Sequence, residues 1–220
     1  FFLSQPNRLA FFIYGRKMKK FKHILWDWNG TLFDDVVLCS DIMNNILKRR
    51  GMGKITLEKY KNVFDFPVRN YYEAVGFTNL TDELFHELSV EFIQEYESRK
   101  LTFGLSEGAV EILEKINNQG IEQSVLSAYS QKTLEEIVKH FRISKYFIGL
   151  AGLDNIYAAS KVENGKNWMK KLKLSRGEAL MVGDTLHDKE VADEIGAESV
   201  LLSTGHQSKE RLLQSGVPVI

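Results

Sequence analysis

Short, continuous apolar runs alternate with amphipathic stretches along most of this chain. The first run, Ile24-Leu25-Trp26, stops abruptly at Asp27. Residues 107–118 carry apolar positions at helical spacing and end before Gly120, a C-terminal stop signal. The run Ser124-Val125-Leu126 follows and breaks at Ser127. An amphipathic stretch over 131–141 then leads to the apolar run 146–150. A helix over 164–172, the run Ala179-Leu180-Met181-Val182, a helix over 188–195 and the run 199–202 complete the alternation. Such runs, separated by amphipathic helices, predict parallel strands buried on both faces. With right-handed crossovers they make an α/β fold, a doubly wound parallel sheet. Val217-Pro218-Val219-Ile220 reads as a further strand with no closing helix, so the chain is expected to run on beyond it.

Between residues 34 and 103 no strand pattern emerges. Residues 36–50, 56–64 and 82–99 read as helices, punctuated by Gly51, Gly53, Pro67 and Gly76. An all-helical insertion here, directly after the first strand, is expected to sit over the carboxyl edge of the sheet. The expected organisation is a core of residues 18–35 and 104–220 with a helical unit of 36–103. The chain begins at Phe1, whereas Met18-Lys19-Lys20-Phe21-Lys22 reads as a natural start. Residues 1–17 are therefore read as an upstream extension or expression remnant.

Composition narrows the field of partners. The 29 Lys and Arg balance 29 Asp and Glu among 220 residues, so no global field draws the chain to nucleic acid or an anionic membrane. The lone Cys39 excludes an internal disulfide framework and suits a reducing compartment. No apolar run is long enough to span a bilayer. Gln5, Pro6, Asn7 and Arg8 interrupt the hydrophobic start, which argues against a signal peptide. A cytoplasmic location is expected, and the oligomeric state is left open.

The candidate chemistry lies at strand ends. Asp27, Ser127 and Asp184 each follow an apolar run, and in a parallel sheet such ends share one edge. Lys161 precedes a helix on the same side, and Asp188 lies one helical turn beyond Asp184. Asp27, Asp184 and Asp188 would repel one another without a cation among them, and an all-oxygen donor set suits Mg²⁺. Blander readings stand beside these. Asp27 alone could cap a helix, and Asp184 with Asp188 could simply begin one. Lys161 is preferred over Lys166 because it sits in the loop before the helix. Ser127 and His187 lack the G-x-S-x-G elbow of a hydrolytic triad. Cys39 reads as core, and packing accounts for Trp26, Trp28 and Trp168. Arg69 either meets an anionic substrate or is a surface arginine, and His206 either lines the same edge or begins a helix.

Taken together and in order, Asp27-Trp28-Asn29-Gly30-Thr31-Leu32, Ser127, Lys161 and Gly183-Asp184-Thr185-Leu186-His187-Asp188 resemble the motifs of the haloacid dehalogenase-like superfamily. The helical insertion is similar to the cap of its phosphoglycolate phosphatase-like branch. The resemblance implies a Rossmann-like core, a small phosphorylated metabolite as substrate, and Mg²⁺ as cofactor. Asp27 would form an aspartyl-phosphate. Asp27, Asp184, Asp188 and the Asn29 carbonyl would hold the metal. Ser127, Ala128, Gly30, Thr31, Lys161 and Arg69 would bind the substrate. One position departs from the pattern, because the family's phosphatases carry a second aspartate where this chain has Asn29. An amide has no titratable proton near neutral pH, and loss of general acid–base catalysis typically costs about 10²–10⁴-fold in rate. Three readings follow: a phosphatase using another group or an easy leaving group, a weakly or non-catalytic phosphoester-binding relative, or a different chemistry such as dehalogenation. Retention of Asp184 and Asp188 argues against a dehalogenase, and His187 is a candidate substitute acid.

Overall fold

The computed structural model describes residues 21–153 and 161–220. The expectation for residues 1–17 lies outside them. Five strands form one parallel sheet: β1 (His23–Trp26), β2 (Glu122–Ser130), β3 (Gly149–Leu153), β4 (Ala179–Gly183) and β5 (Glu198–Leu201), in the order β3-β2-β1-β4-β5. Between β1 and β2 run α1 (Val36–Arg49), α2 (Leu57–Val63), α3 (Val68–Ala74), α4 (Asp82–Arg99) and α5 (Ala109–Asn118). Then come α6 (Gln131–His140), α7 (Lys161–Lys171), α8 (Leu186–Ile195) and the short α9 (Lys209–Leu212).

The expected burial on both faces is met. Ile24, Trp26, Leu180 and Val182 pack with Ile112 and Leu113 of α5 and Leu134 and Val138 of α6. Leu25, Leu126 and Met181 face the other way, toward Met169 of α7 and Val191 and Ala192 of α8. Each such side chain contributes about 1.5–3 kcal/mol when fully buried, which fixes the register of the central strands. The strand order reverses direction at β1 and β4, and an α/β sheet opens its crevice at such a switch point.

Several boundaries differ from the sequence expectation. Of the run 146–150, only Gly149 and Leu150 belong to the third strand. Residues Ser144–Tyr146 make a 3-10 turn that buries Tyr146, and pairing starts at Gly149 opposite Ser124. Gly149 is needed there, because a Cβ would lie 2.5 Å from the ring of Trp168. Strand β2 continues through Ser127 to Ser130, and the break shows instead as a register shift between Leu126 and Ser130. The two-turn helix α3 went unread because it is too short for a 3.6-residue period to emerge. The C-terminal run makes only a parallel bridge, Leu201 to Val219, because Pro218 has no N–H to extend the ladder.

Candidate active site

Asp27 follows directly on β1, and its N–H donates to the Val182 carbonyl at 2.8 Å. Trp26 pairs with both Val125 and Val182, so Ser127 and Asp184 emerge just beyond the same register row. Asp27, Asp184 and Asp188 each offer one carboxylate oxygen within 4.8 Å of the others. The Lys161 ammonium bridges Asp27 and Asp188, 2.6 Å from the latter. It is the first described residue of α7, rather than part of a loop before the helix. Lys166 pairs with Glu163 and Glu194 at the surface.

Local chemistry explains how each carboxylate is held. Thr185 caps α8, and Asp188 completes the capping box: its Oδ2 accepts from the Thr185 N–H at 2.9 Å and hydroxyl at 2.7 Å. Asp188 is thus a helix-start residue and a member of the cluster at once, its Oδ1 being turned to Lys161. Asp184 accepts from the His206 N–H at 2.6 Å and the Thr31 hydroxyl at 3.3 Å. Gly30, at φ +70, and Gly205 permit this packing, since a Cβ at either would overlap the Asp184 carboxylate. Gly30 also holds a left-handed conformation that few residues other than glycine adopt.

A second group of buried residues lies beside the first. Asp35, absent from the sequence expectation, is fully buried. Its carboxylate accepts from the Asn29 amide at 2.7 Å, the Tyr96 hydroxyl at 2.8 Å and the Gly30 N–H at 2.9 Å. It also faces His206 Nε2 at 3.2 Å, and His206 Nδ1 meets the Tyr60 hydroxyl at 2.8 Å. His206 therefore lines the edge instead of starting a helix. The available signals for Asp35 and His206 were weak: a doubled Asp34-Asp35 at the loop end, and a histidine after a glycine beyond the last strand.

Burial and mutual repulsion dominate the electrostatics. Burial raises the Asp27 carboxyl to about 8, against the pull of Lys161 and with a further push from Asp188 and Asp184. Asp184 is raised to about 6 by burial, with His206 opposing and Asp188 adding. Burial would raise Asp188 and Asp35 too, but Lys161 holds the first, and His206 the second, below the ordinary value. Burial lowers His206, yet Asp35 outweighs it and lifts the ring to about 9. Both ring nitrogens then carry protons and donate to Asp35 and Tyr60.

Among the described residues, the buried carboxylates of Asp27, Asp35, Asp184 and Asp188 are paired with two buried cations, Lys161 and His206. Buried charges are paired or coordinate metals. A divalent cation would close this difference, and the all-oxygen set of Asp27, Asp184 and Asp188 fits a hard ion.

Other expected residues fall elsewhere. Ser127 is buried at the edge, its Oγ accepting from the Tyr129 N–H at 3.0 Å, whereas Ala128 is exposed. Arg69 does not join the cluster. Its guanidinium is engaged by Asp82 and the Leu80 carbonyl and lies over the Phe85 ring, all within the helical insertion. His187 stacks on Phe66 and faces Glu190 at 3.2 Å. The N–H groups of Gly30, Thr31, Leu32 and Phe33 turn inward to carbonyls of their own loop. Trp28 is fully buried and stacked on Phe33, and Cys39 is buried as expected.

The helical insertion covers the site. Besides Tyr60 and His206, the Lys61 ammonium donates to the Thr204 carbonyl at 2.9 Å and the Gln207 amide to the Phe64 carbonyl at 2.9 Å. Phe64 stacks on the His206 ring. Asp27, Lys161, Asp184 and Asp188 are all buried. An open groove of about 600 Å³ near Thr78 and Asn79 shares no lining residue with them.

The comparisons with known proteins agree with this fold. A family model described as haloacid dehalogenase-like hydrolase matches residues 24–202. A phosphoglycolate phosphatase from Rhodobacter capsulatus is 20% identical over 187 residues, covering 84% of this chain and 85% of that protein. A phosphoglycolate phosphatase from Pseudomonas fluorescens is 26% identical over 194 residues, covering 83% of this chain and 70% of that one. The structure of a haloacid dehalogenase-like family hydrolase from Streptococcus pneumoniae superposes with a TM-score of 0.78 at 19% identity, over 92% of this chain and 94% of that one.

Proposed function

The chain belongs to the haloacid dehalogenase-like hydrolases, in their phosphoglycolate phosphatase-like branch, and from that premise we propose that it is a Mg²⁺-dependent phosphohydrolase acting on a small phosphorylated metabolite through an aspartyl-phosphate. The observation that carries the reading is the convergence of Asp27, Asp184, Asp188 and Lys161 at the carboxyl end of the central strands.

In this reading Asp27 attacks phosphorus, and the hydroxyl of Ser127 and the ammonium of Lys161 hold the phosphoryl oxygens. Asp27, Asp184, Asp188 and the backbone carbonyl of Asn29 would hold Mg²⁺, whose charge lets an anionic nucleophile approach an anionic phosphate. Lys161 is already charged and buried against two carboxylates, so it is preorganised for negative charge developing beside Asp27. Phosphoryl transfer asks mainly for positioning and electrostatic stabilisation. Gly30 and Thr31 serve by letting Asp184 approach and by donating to it, and Arg69 serves within the insertion.

Residues 36–103 act as a cap over a core of 18–35 and 104–220. The buried cluster needs that cap to open for entry, and its closure excludes water from the reaction. The names of the phosphoglycolate phosphatase relatives support a small phosphorylated anion as substrate. We place the protein in the cytoplasm, with Cys39 a free thiol. Among the described residues no helix is long and apolar enough to cross a membrane.

Asn29 favours a second reading, in which the site binds metal and phosphoester with negligible turnover. Phosphate release over a panel of phosphomonoesters and acyl phosphates separates the two. Release that needs Mg²⁺ and vanishes in Asp27→Asn supports hydrolysis, and silence with retained Mg²⁺ and phosphoester binding supports the second reading.

A further inference from the structure

Among the described residues beside Asp27, the groups that could hand a proton to a departing oxygen are committed elsewhere. Asn29 has no proton to give, and both N–H bonds of its amide point away, to Asp35 at 2.7 Å and to the Tyr96 hydroxyl at 2.8 Å. The arrangement also fixes which way the amide faces, because its oxygen against the Asp35 carboxylate would set acceptor against acceptor. The Lys161 ammonium bridges two carboxylates, and giving up a proton would leave both unpaired in the interior. His206 directs one ring nitrogen to Asp35 and the other to Tyr60. Tyr96 spends its hydroxyl proton on Asp35, and His187 stacks on Phe66 and faces Glu190.

We propose that this site is built for phosphoryl groups whose leaving oxygen departs as a stable anion, namely acyl, enol and aryl phosphates and phosphoanhydrides, and that alkyl phosphomonoesters are poor substrates. The inference rests on the aspartyl-phosphate reading above. In the first step an Asp27 oxygen bonds to phosphorus. The bond from phosphorus to the leaving oxygen breaks, and its electron pair departs with that oxygen, so no proton moves. In the second step water attacks phosphorus and the bond to Asp27 breaks. Asp27 leaves as a carboxylate, itself a stable anion, and the two protons of water remain on the dihydrogen phosphate product. An alkoxide leaving group has no such stability and would need the proton that Asn29 lacks.

The test is kcat/KM for phosphate release with Mg²⁺ over a series of para-substituted aryl phosphates of similar shape, with acetyl phosphate and glycerol phosphate as the acyl and alkyl extremes. Background hydrolysis is taken from Asp27→Asn. The expected profile falls steeply as the leaving group becomes more basic, with acetyl phosphate exceeding glycerol phosphate by about 10²–10⁴-fold. The exchanged pair Asn29→Asp with Asp35→Asn keeps an amide against a carboxylate and places the acid at position 29. It is expected to raise glycerol phosphate turnover and flatten the profile. A flat wild-type profile overturns the inference while leaving the phosphohydrolase intact. Silence across the whole series, acetyl phosphate included, overturns the phosphohydrolase reading and this inference with it. The wild-type profile decides even if the exchanged pair does not fold.

Discussion

Asn29 and Asp35 form an amide–carboxylate pair, Nδ2 to Oδ2 at 2.7 Å, in the loop that follows the central strand. The contact means that position 29 cannot be changed alone. Asn29→Asp would press a second carboxylate against one that is already buried and ionised, and should destabilise the fold. Adding Asp35→Asn should restore it, with a coupling energy of about 0.5–3 kcal/mol in a double-mutant cycle read by urea denaturation. Strictly additive effects would mean that the two side chains do not meet.

Lys161 is the only cation within hydrogen-bonding distance of Asp27 and Asp188 among the described residues. Lys161→Met leaves both carboxylates buried without compensation. Thermal denaturation in chelator should report a loss of about 3–5 kcal/mol, the usual effect of breaking one side of a buried ion pair. An unchanged Tm would place the ammonium elsewhere in solution.

The parts of this site that were legible in the sequence are the parts set by local structure. Asp27 ends a buried strand, and Asp188 completes a capping box three residues after Thr185, so neighbouring residues announce both. Lys161 meets Asp27, whereas Lys166 pairs at the surface. The network around Asp35 was invisible for the opposite reason. Tyr96 and His206 reach it across 61 and 171 residues of chain, and no periodicity encodes such contacts. Arg69 lies away from the cluster because a charge in a helical insertion can be satisfied within it, here by Asp82. The same limit blurred the third strand, where a buried aromatic, Tyr146, reads as strand but packs from a turn.

His23 gives a pH dependence that owes nothing to the catalytic groups. Burial lowers its ring from 6.5 to about 4, and its Nδ1 has no hydrogen-bond partner while Nε2 meets the Ser124 hydroxyl at 2.8 Å. The unfolded chain therefore binds a proton that the fold refuses between those values. Stability is whole above pH 6.5 and falls as the pH drops toward 4, by about 2–3 kcal/mol from this residue. His23→Gln should flatten that part of a stability-versus-pH curve measured by urea denaturation. An unchanged slope would contradict the assignment.

Metal binding should compete with protons. In the metal-free protein Asp27 at about 8 and Asp184 at about 6 retain protons that a cation must displace. Mg²⁺ affinity is therefore expected to rise with pH up to about 8 and then level. Calorimetry in two buffers of different ionisation enthalpy should show proton release near neutral pH. Affinity independent of pH, with no proton release, would contradict it.

The central claim is that Asp27 itself takes the phosphoryl group, and the most direct measurement is mass spectrometry of the protein acid-quenched during turnover of acetyl phosphate with Mg²⁺. The account predicts a phosphoryl adduct on the peptide carrying Asp27, absent in Asp27→Asn and absent when Mg²⁺ is chelated. Turnover that persists in Asp27→Asn, or an adduct on any other residue, would contradict it.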